Sequence, residues 1–250
     1  MSTNPDLATQ IIKFGGQANG RDKLFRLIQY GSKLVWWHLH NNARGPEMVQ
    51  KLKKLESSLS MTRKLLRMGK SLDFIMAALK SVHIKDTALR LTITMSKLNQ
   101  ACFLLFDHII YAHNVGLINT DKKKWSEISA RFWVVSLILN LARNAYDLMN
   151  IIQEELRQRQ SREAKHGQQV NGDSNHNRTT YSQDTNIVVK IIMQNKPVVL
   201  DLVKNLADLV LPLSTLGKVN ASAGTQGFLG LISSAAGMAT VWDSSLKLVP

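Results

Sequence analysis

Apolar residues recur at helical spacing along most of the chain, and no alternating run is long enough to predict a sheet. Between Arg21 and His40, Leu24, Leu27, Ile28, Leu34 and Val35 fall on one side of a helix. Asn41-Asn42-Ala43-Arg44-Gly45-Pro46 is a turn cluster that ends in a Gly-Pro stop. A helix should restart at Glu47, whose carboxylate suits a first turn, and run to Gly69. Residues 71–98 form one further apolar-periodic stretch. Residues 101–118 place Asp107, His108 and His113 inside an apolar pattern, which fits either a soluble helix or a membrane helix facing a bundle. Asn114 to Lys124 is a polar connection, and Trp125–Leu156 is helical again.

Arg157 to Asn186 is rich in Gln, Asn, Ser and Arg and almost free of apolar residues, so it predicts a flexible linker. From Ile187 the helical pattern resumes, with Pro197 interrupting it and Pro212 predicted to stop the next segment. The expected architecture is all-α: an N-terminal helical region over 1–156, the polar linker over 157–186, and a C-terminal helical hairpin over 187–250.

The longest stretch without Asp, Glu, Lys or Arg is Val219–Trp242. Its second half is apolar and rich in small residues; its first half carries Asn220, Ser222, Thr225 and Gln226. A membrane span needs about 20 mostly apolar residues, so this is a short span over about 225–242 or a Gly/Ala-rich helix of a soluble core. Gly230/Ser234 and Ser233/Gly237 stand at the spacing that lets two helix backbones approach closely in lipid, and are expected to line a self-association contact. Phe132–Ala142 is too short to span and reads as a buried or half-inserted helix.

Residues 47–70 carry the most distinctive pattern. Met48, Leu52, Leu55, Leu59, Thr62 and Leu66 share a narrow arc, Lys53, Lys54 and Lys64 lie away from it, and Arg63 and Arg67 flank one edge. Seven basic residues against two acids make the segment strongly cationic. The pattern suits an interfacial helix with its leucines in the acyl boundary and its cations among anionic headgroups. A surface helix of a soluble bundle and a calmodulin-type target helix fit the same pattern.

Charge sharpens this picture. The chain has 32 Lys and Arg against 18 Asp and Glu, a net charge of +14. Residues 1–70 alone hold 13 of the basic residues and four of the acids, which points to an anionic partner: a membrane surface, a nucleic acid or an acidic protein. The N-terminus has no basic run followed by an apolar one, so no secretory signal is expected. A single thiol, Cys102, excludes a disulfide scaffold.

Catalytic signatures are missing. There is no phosphate-loop motif, no H-E-x-x-H and no C-x-x-C. His38 and His40 point apart on a helix, as do His108 and His113, so neither pair predicts a metal site. No cofactor is expected. The basic residues are not interleaved with exposed aromatics in any nucleic-acid-binding motif, and no nucleic-acid partner is expected.

Several stretches are familiar together: Gly20-Arg21-Asp22-Lys23-Leu24 with Gln29-Tyr30, Leu52–Ser58, Arg63–Lys70, Lys124-Trp125, Asn140–Asp147, Asp201–Asp208 with Pro212-Leu213 and Leu216-Gly217, and Gly227–Ser234. In this order and spacing the chain resembles the peroxin eleven family of peroxisomal membrane proteins, nearest its alpha/beta type. The resemblance covers nearly everything except 157–186. It implies a non-enzymatic protein integral to the peroxisomal membrane, both termini cytosolic, that self-associates, also with family members. It further implies membrane tubulation through an amphipathic helix falling on about 47–70, and a membrane segment on about 225–242. Peroxisome elongation and division would follow, with fission adaptors and a dynamin-related GTPase as partners. The competing reading is a soluble basic helical adaptor that binds an acidic protein or nucleic acid.

Overall fold

The computed structural model describes residues 6–43, 45–167 and 194–248, and the side chains of these except 162–167. The described residues form eight α-helices and no strand, as the periodicity predicts. They are α1 (Leu7–Gly16), α2 (Ala18–Asn41), α3 (Pro46–Leu66), α4 (Lys70–Ser81), α5 (Thr87–Asn114), α6 (Lys122–Gly167), α7 (Lys196–Thr215) and α8 (Ala223–Trp242), followed by a short 3₁₀ turn at Ser244–Leu246.

Local chemistry sets most of the boundaries. Gly45 at φ 54° and Gly69 at φ 84° take left-handed conformations that lead the chain into α3 and α4, and Pro46 begins α3 where a missing N–H costs nothing. The apolar-periodic stretch over 71–98 is divided by a turn at 82–86. Asp86 is the cause: its carboxylate accepts from the N–H groups of Ala88 and Leu89 at 2.8 and 3.1 Å and caps α5, and it also accepts from the Tyr146 hydroxyl at 2.6 Å. Asp121 does the same for α6 through the Lys123 and Lys124 N–H groups.

Two expectations over the second half change. α6 continues to Gly167, so the first eleven residues of the expected linker are helical. Gln, Arg and Glu are strong helix formers, and Glu155–Arg159 and Glu154–Gln158 pair one turn apart. The rest of the expected linker, 168–186, lies outside the described residues. Pro212 does not stop α7 but sits inside it, fully buried; the helix ends one turn later, where the Leu216 N–H donates to the Pro212 carbonyl at 3.0 Å.

The helices close a cycle. α2 packs on α3, α3 on α5, α5 on α6, α6 on α7, α7 on α8, and α8 back on α2; α4 lies outside against α5, and α1 against α2 and α8. Stacked rings fasten α5 to α6, with Phe103 on Trp133 and Phe106 on both Trp125 and Phe132 at centroid distances of 5.2–5.5 Å.

α2 and α8 approach most closely. A Cβ on Gly224 would lie 2.4 Å from the Trp37 ring, on Gly227 2.8 Å from the Leu34 nitrogen, and on Gly230 2.3 Å from the Tyr30 ring. The small-residue stripe of α8, including Gly230, Ser233, Ser234 and Gly237, expected to line a contact between copies, is buried within this chain, where it lies close against α2. Nor is the expected span over 225–242 met: among the described residues, no helix is long and apolar enough to cross a membrane. In α8 the small and polar residues that fit α2 dilute the apolar ones.

Gly230→Leu should drive a side chain into Tyr30 and cost at least about 1–3 kcal/mol, the usual range for overpacking. Gly15, with nothing within 4 Å of a Cβ, should instead accept Ala with a gain of about 0.5–1 kcal/mol. Thermal melts of the two purified variants, followed by far-UV circular dichroism in detergent, separate these outcomes.

Candidate functional site

The interior is mixed, with Ile93, Leu104, Leu137 and Leu211 buried beside many polar side chains, and the exterior carries many large apolar ones. The side chains buried to below 2% exposure are Asn144, Asn205, Ser96, Ser136, Ser233, Ser234 and Pro212, whereas Ile12, Leu72, Leu79 and Leu91 are among many large apolar residues more than half exposed. In a water-soluble bundle polar side chains gather at the surface. Here α2 turns Asp22, Arg26, Gln29 and Ser32 inward and leaves Leu24, Ile28 and Val35 outside. α4 buries Ser71, Ala78 and Ser81 and exposes Leu72, Met76 and Leu79.

α3 follows the same rule. Its inward stripe is Val49, Glu56 and Arg63, seven residues apart, and Glu56 is held by the Trp36 indole at 2.7 Å and by Lys33 at 3.5 Å. The apolar arc identified from sequence lies about a quarter turn away. Met48 and Leu55 on it are 52% and 42% exposed, and Leu52, Leu59 and Leu66 are half-buried. Lys53 and Lys54 face outward, with the Lys53 ammonium 4.6 Å above the Trp36 ring.

Arg63, Lys64 and Arg67, expected among headgroups, are corrected by the structure: they point into the bundle. Arg63 donates through Nε to Asp22 at 3.2 Å and through Nη1 to Gln29 at 2.7 Å. Arg67 donates to Asp107 at 2.6 Å, and Lys64 donates to the other oxygen of the same carboxylate. The reason is the pair of acids that the apolar patterns of α2 and α5 carry. A buried carboxylate without a counter-charge is far costlier than three cations withdrawn from the surface. Burial alone would push the Asp22 and Asp107 carboxyls up; the adjacent Arg63 and Arg67 at Asp22, and Arg67 and Lys64 at Asp107, outweigh it and hold both below the usual range.

A second knot joins α2, α7 and α8. Both Nη atoms of Arg26 donate to Asp208, which also accepts from the Ser233 hydroxyl. Burial works against the Arg26 charge, but Asp208 beside it more than compensates and its pKa is raised. Sequence reading missed Asp22, Arg26 and Asp208 as members of buried ion pairs. The available signal was an acid on an apolar-periodic helix in a chain with few acids, the feature noted at Asp107.

The chain matches the family model described as peroxisomal biogenesis factor 11 (PEX11) over residues 8–242. It is 35% identical to the human protein named peroxisomal membrane protein 11A, over 94% of this chain and 97% of that protein. To human peroxisomal membrane protein 11B it is 31% identical, over 96% and 98%. To peroxisomal membrane protein PMP30B of Candida boidinii it is 24% identical, over 96% and 95%. No solved structure matches it significantly.

Asp107→Ala should leave Lys64 without its counter-charge, and Arg67 with only the longer 3.9 Å pairing to Asp22, and cost about 3–5 kcal/mol. Because both carboxyl pKa values are lowered on folding, their contribution is complete above the unfolded value of about 4 and is lost as pH falls further. Denaturation midpoints measured from pH 7 down to pH 3 should therefore fall steeply at the acid end in the parent chain, and more shallowly in Asp107→Asn, which starts from a lower midpoint.

Proposed function

The chain belongs to the peroxisomal biogenesis factor 11 (PEX11) family, and from that premise we propose that it is a peroxisomal membrane protein that deforms the bilayer by wedging apolar helix faces into one leaflet. The observation that carries this reading is the pairing of many buried polar side chains with many exposed large apolar ones. A bundle with buried Asp, Arg, Asn and Ser and exposed Leu, Met and Ile is suited to a lipid environment, where polar groups must find their partners inside the protein. A soluble basic adaptor fits the net charge but leaves this exterior uncovered in water.

The wedge is the arc of Met48, Leu52, Leu55, Leu59 and Leu66 on α3, with the outward side of α4 next to it in sequence. Magnitudes favour apolar contact over charge. With Arg63, Lys64 and Arg67 turned inward, the outward cations of α3 are Lys51, Lys53 and Lys54, and Lys51 is paired with Glu47 at 2.6 Å. Each lysine near an anionic surface contributes up to about 1 kcal/mol, whereas full burial of one leucine contributes about 1.5–3 kcal/mol. Insertion from the cytosolic side expands that leaflet and favours positive curvature, which elongates the organelle. Fission adaptors and a dynamin-related GTPase would then act on the narrowed membrane, with both termini cytosolic and self-association concentrating the wedges.

Met48→Glu with Leu55→Glu adds carboxylates to exposed positions, so the bundle should fold. The double variant should still reach peroxisomes yet neither tubulate phosphatidylcholine–phosphatidylserine vesicles nor elongate the organelle at matched expression. Replacing Lys53 and Lys54 by Ala should weaken vesicle binding only modestly, and mainly at low salt. Normal tubulation and elongation by the glutamate variant would remove α3 from the mechanism.

A further inference from the structure

The closed cycle of helices surrounds a cavity of about 460 Å³, within the range of small-molecule sites. Its walls carry the charge knots of α2, α3, α5 and α7, together with Phe74, Phe103 and Trp133. The charges do not balance. Seven Lys and Arg side chains line the cavity against three carboxylates, an excess of four. Asp201, just outside the lining, pairs with Lys204 and reduces the excess to three. What remains is Lys23, Lys70 and the second cation on Asp107.

Neither the Lys23 nor the Lys70 side chain makes a hydrogen bond or an ion pair among the described residues. The two approach the Asp22 carboxylate electrostatically, but Arg63 occupies it. The Lys23 ammonium rests 3.2 Å from where a Gly237 Cβ would stand, space that any other residue would fill. Two further donors are idle: Arg26 Nε and Ser136 Oγ line the cavity, both residues more than nine-tenths buried, with no partner for either atom.

Water could satisfy Arg26 Nε and Ser136 Oγ, but it brings no counter-charge to the half-buried ammonium groups of Lys23 and Lys70. A carboxylate brings one charge and two oxygens. A phosphate group brings up to two charges and several acceptor oxygens, matching guanidinium, ammonium and hydroxyl donors on separate helices. We infer that this cavity is a binding site for a phosphate-bearing polyanion, a diphosphate or a phosphate monoester, held by Lys23, Lys70, Arg26 Nε and Ser136 Oγ. Burial, and after it the neighbouring Arg26, lowers the Lys23 pKa to about 7 in the empty cavity, so an anion there would restore its full charge. The site is independent of the exterior wedge.

The phosphate can belong to a soluble compound or to a lipid headgroup, and two probes separate these sources. The full chain in phosphatidylcholine nanodiscs is titrated calorimetrically with pyrophosphate and, separately, with dioctanoyl phosphatidic acid, using dioctanoyl phosphatidylcholine as the blank. Saturable binding of one probe per chain is expected. Pyrophosphate alone would assign a soluble ligand, phosphatidic acid alone a headgroup, and both would assign the phosphate group itself. Lys23→Met and Lys70→Met should each weaken binding by at least about tenfold, the loss of one charge-assisted hydrogen bond. Ser136→Ala, which changes no charge, should weaken it by about threefold. The exterior pair Lys53→Met with Lys54→Met should leave it unchanged. If Lys23→Met does not fold, Lys70→Met and Ser136→Ala carry the test. The inference is overturned if neither probe saturates on the folded parent chain, or if the exterior variant loses as much affinity as the cavity variants.

Discussion

A guanidinium enclosed by helices must find its counter-charge inside the bundle, and Arg26 finds Asp208 across 182 positions of sequence. That contact brings α2 to α7, and the Ser233 hydroxyl on the same carboxylate adds α8. With the glycine stripe of α8 seated against Tyr30, Leu34 and Trp37, it completes the cycle that α3, α5 and α6 begin. The Asp22–Arg63 and Asp107–Arg67 pairs repeat the principle between α2, α3 and α5. Specificity here comes from polar complementarity, since aliphatic packing alone would tolerate many helix arrangements.

This division of labour explains why, among the described residues, no helix is long and apolar enough to cross a membrane. A helix that lends one stripe to a charged interior has a modest average hydropathy, however apolar its opposite side. α4 illustrates the point, with Ser71 and Ser81 inside and Leu72, Met76 and Leu79 outside. The relevant quantity is which side of each helix is apolar, and that is defined only once the neighbours are in place.

Helix content was legible because the 3.6-residue period is local. Gly45-Pro46 and the polar run before α6 were legible for the same reason. The break at 82–86 was not, because a lone Asp86 cap lies within an otherwise continuous apolar pattern. The helical continuation through 157–167 was hidden because a polar composition that suits a linker also suits an exposed helix end. At the candidate site the arc from Met48 to Leu66 was visible, but the inward turn of Arg63, Lys64 and Arg67 was not. The carboxylates they meet lie 40 or more residues away, and helical periodicity carries no information about distant charge. The stretches that support the family resemblance do meet in space: Asn144 lies 3.2 Å from Asp201 and Asn205, and Asp22 meets Arg63.

The long separation between Arg26 and Asp208 also orders events at the ribosome. When α2 leaves the exit tunnel, the segment carrying its counter-charge has not been translated. Until then α2 presents an unmatched cation on one side and Leu24, Ile28 and Val35 on the other, a combination neither water nor lipid accommodates well. The cycle can close only after α7 and α8 have been made, so assembly is post-translational. A chain that terminates before α7 cannot reach the native arrangement, however intact its first six helices.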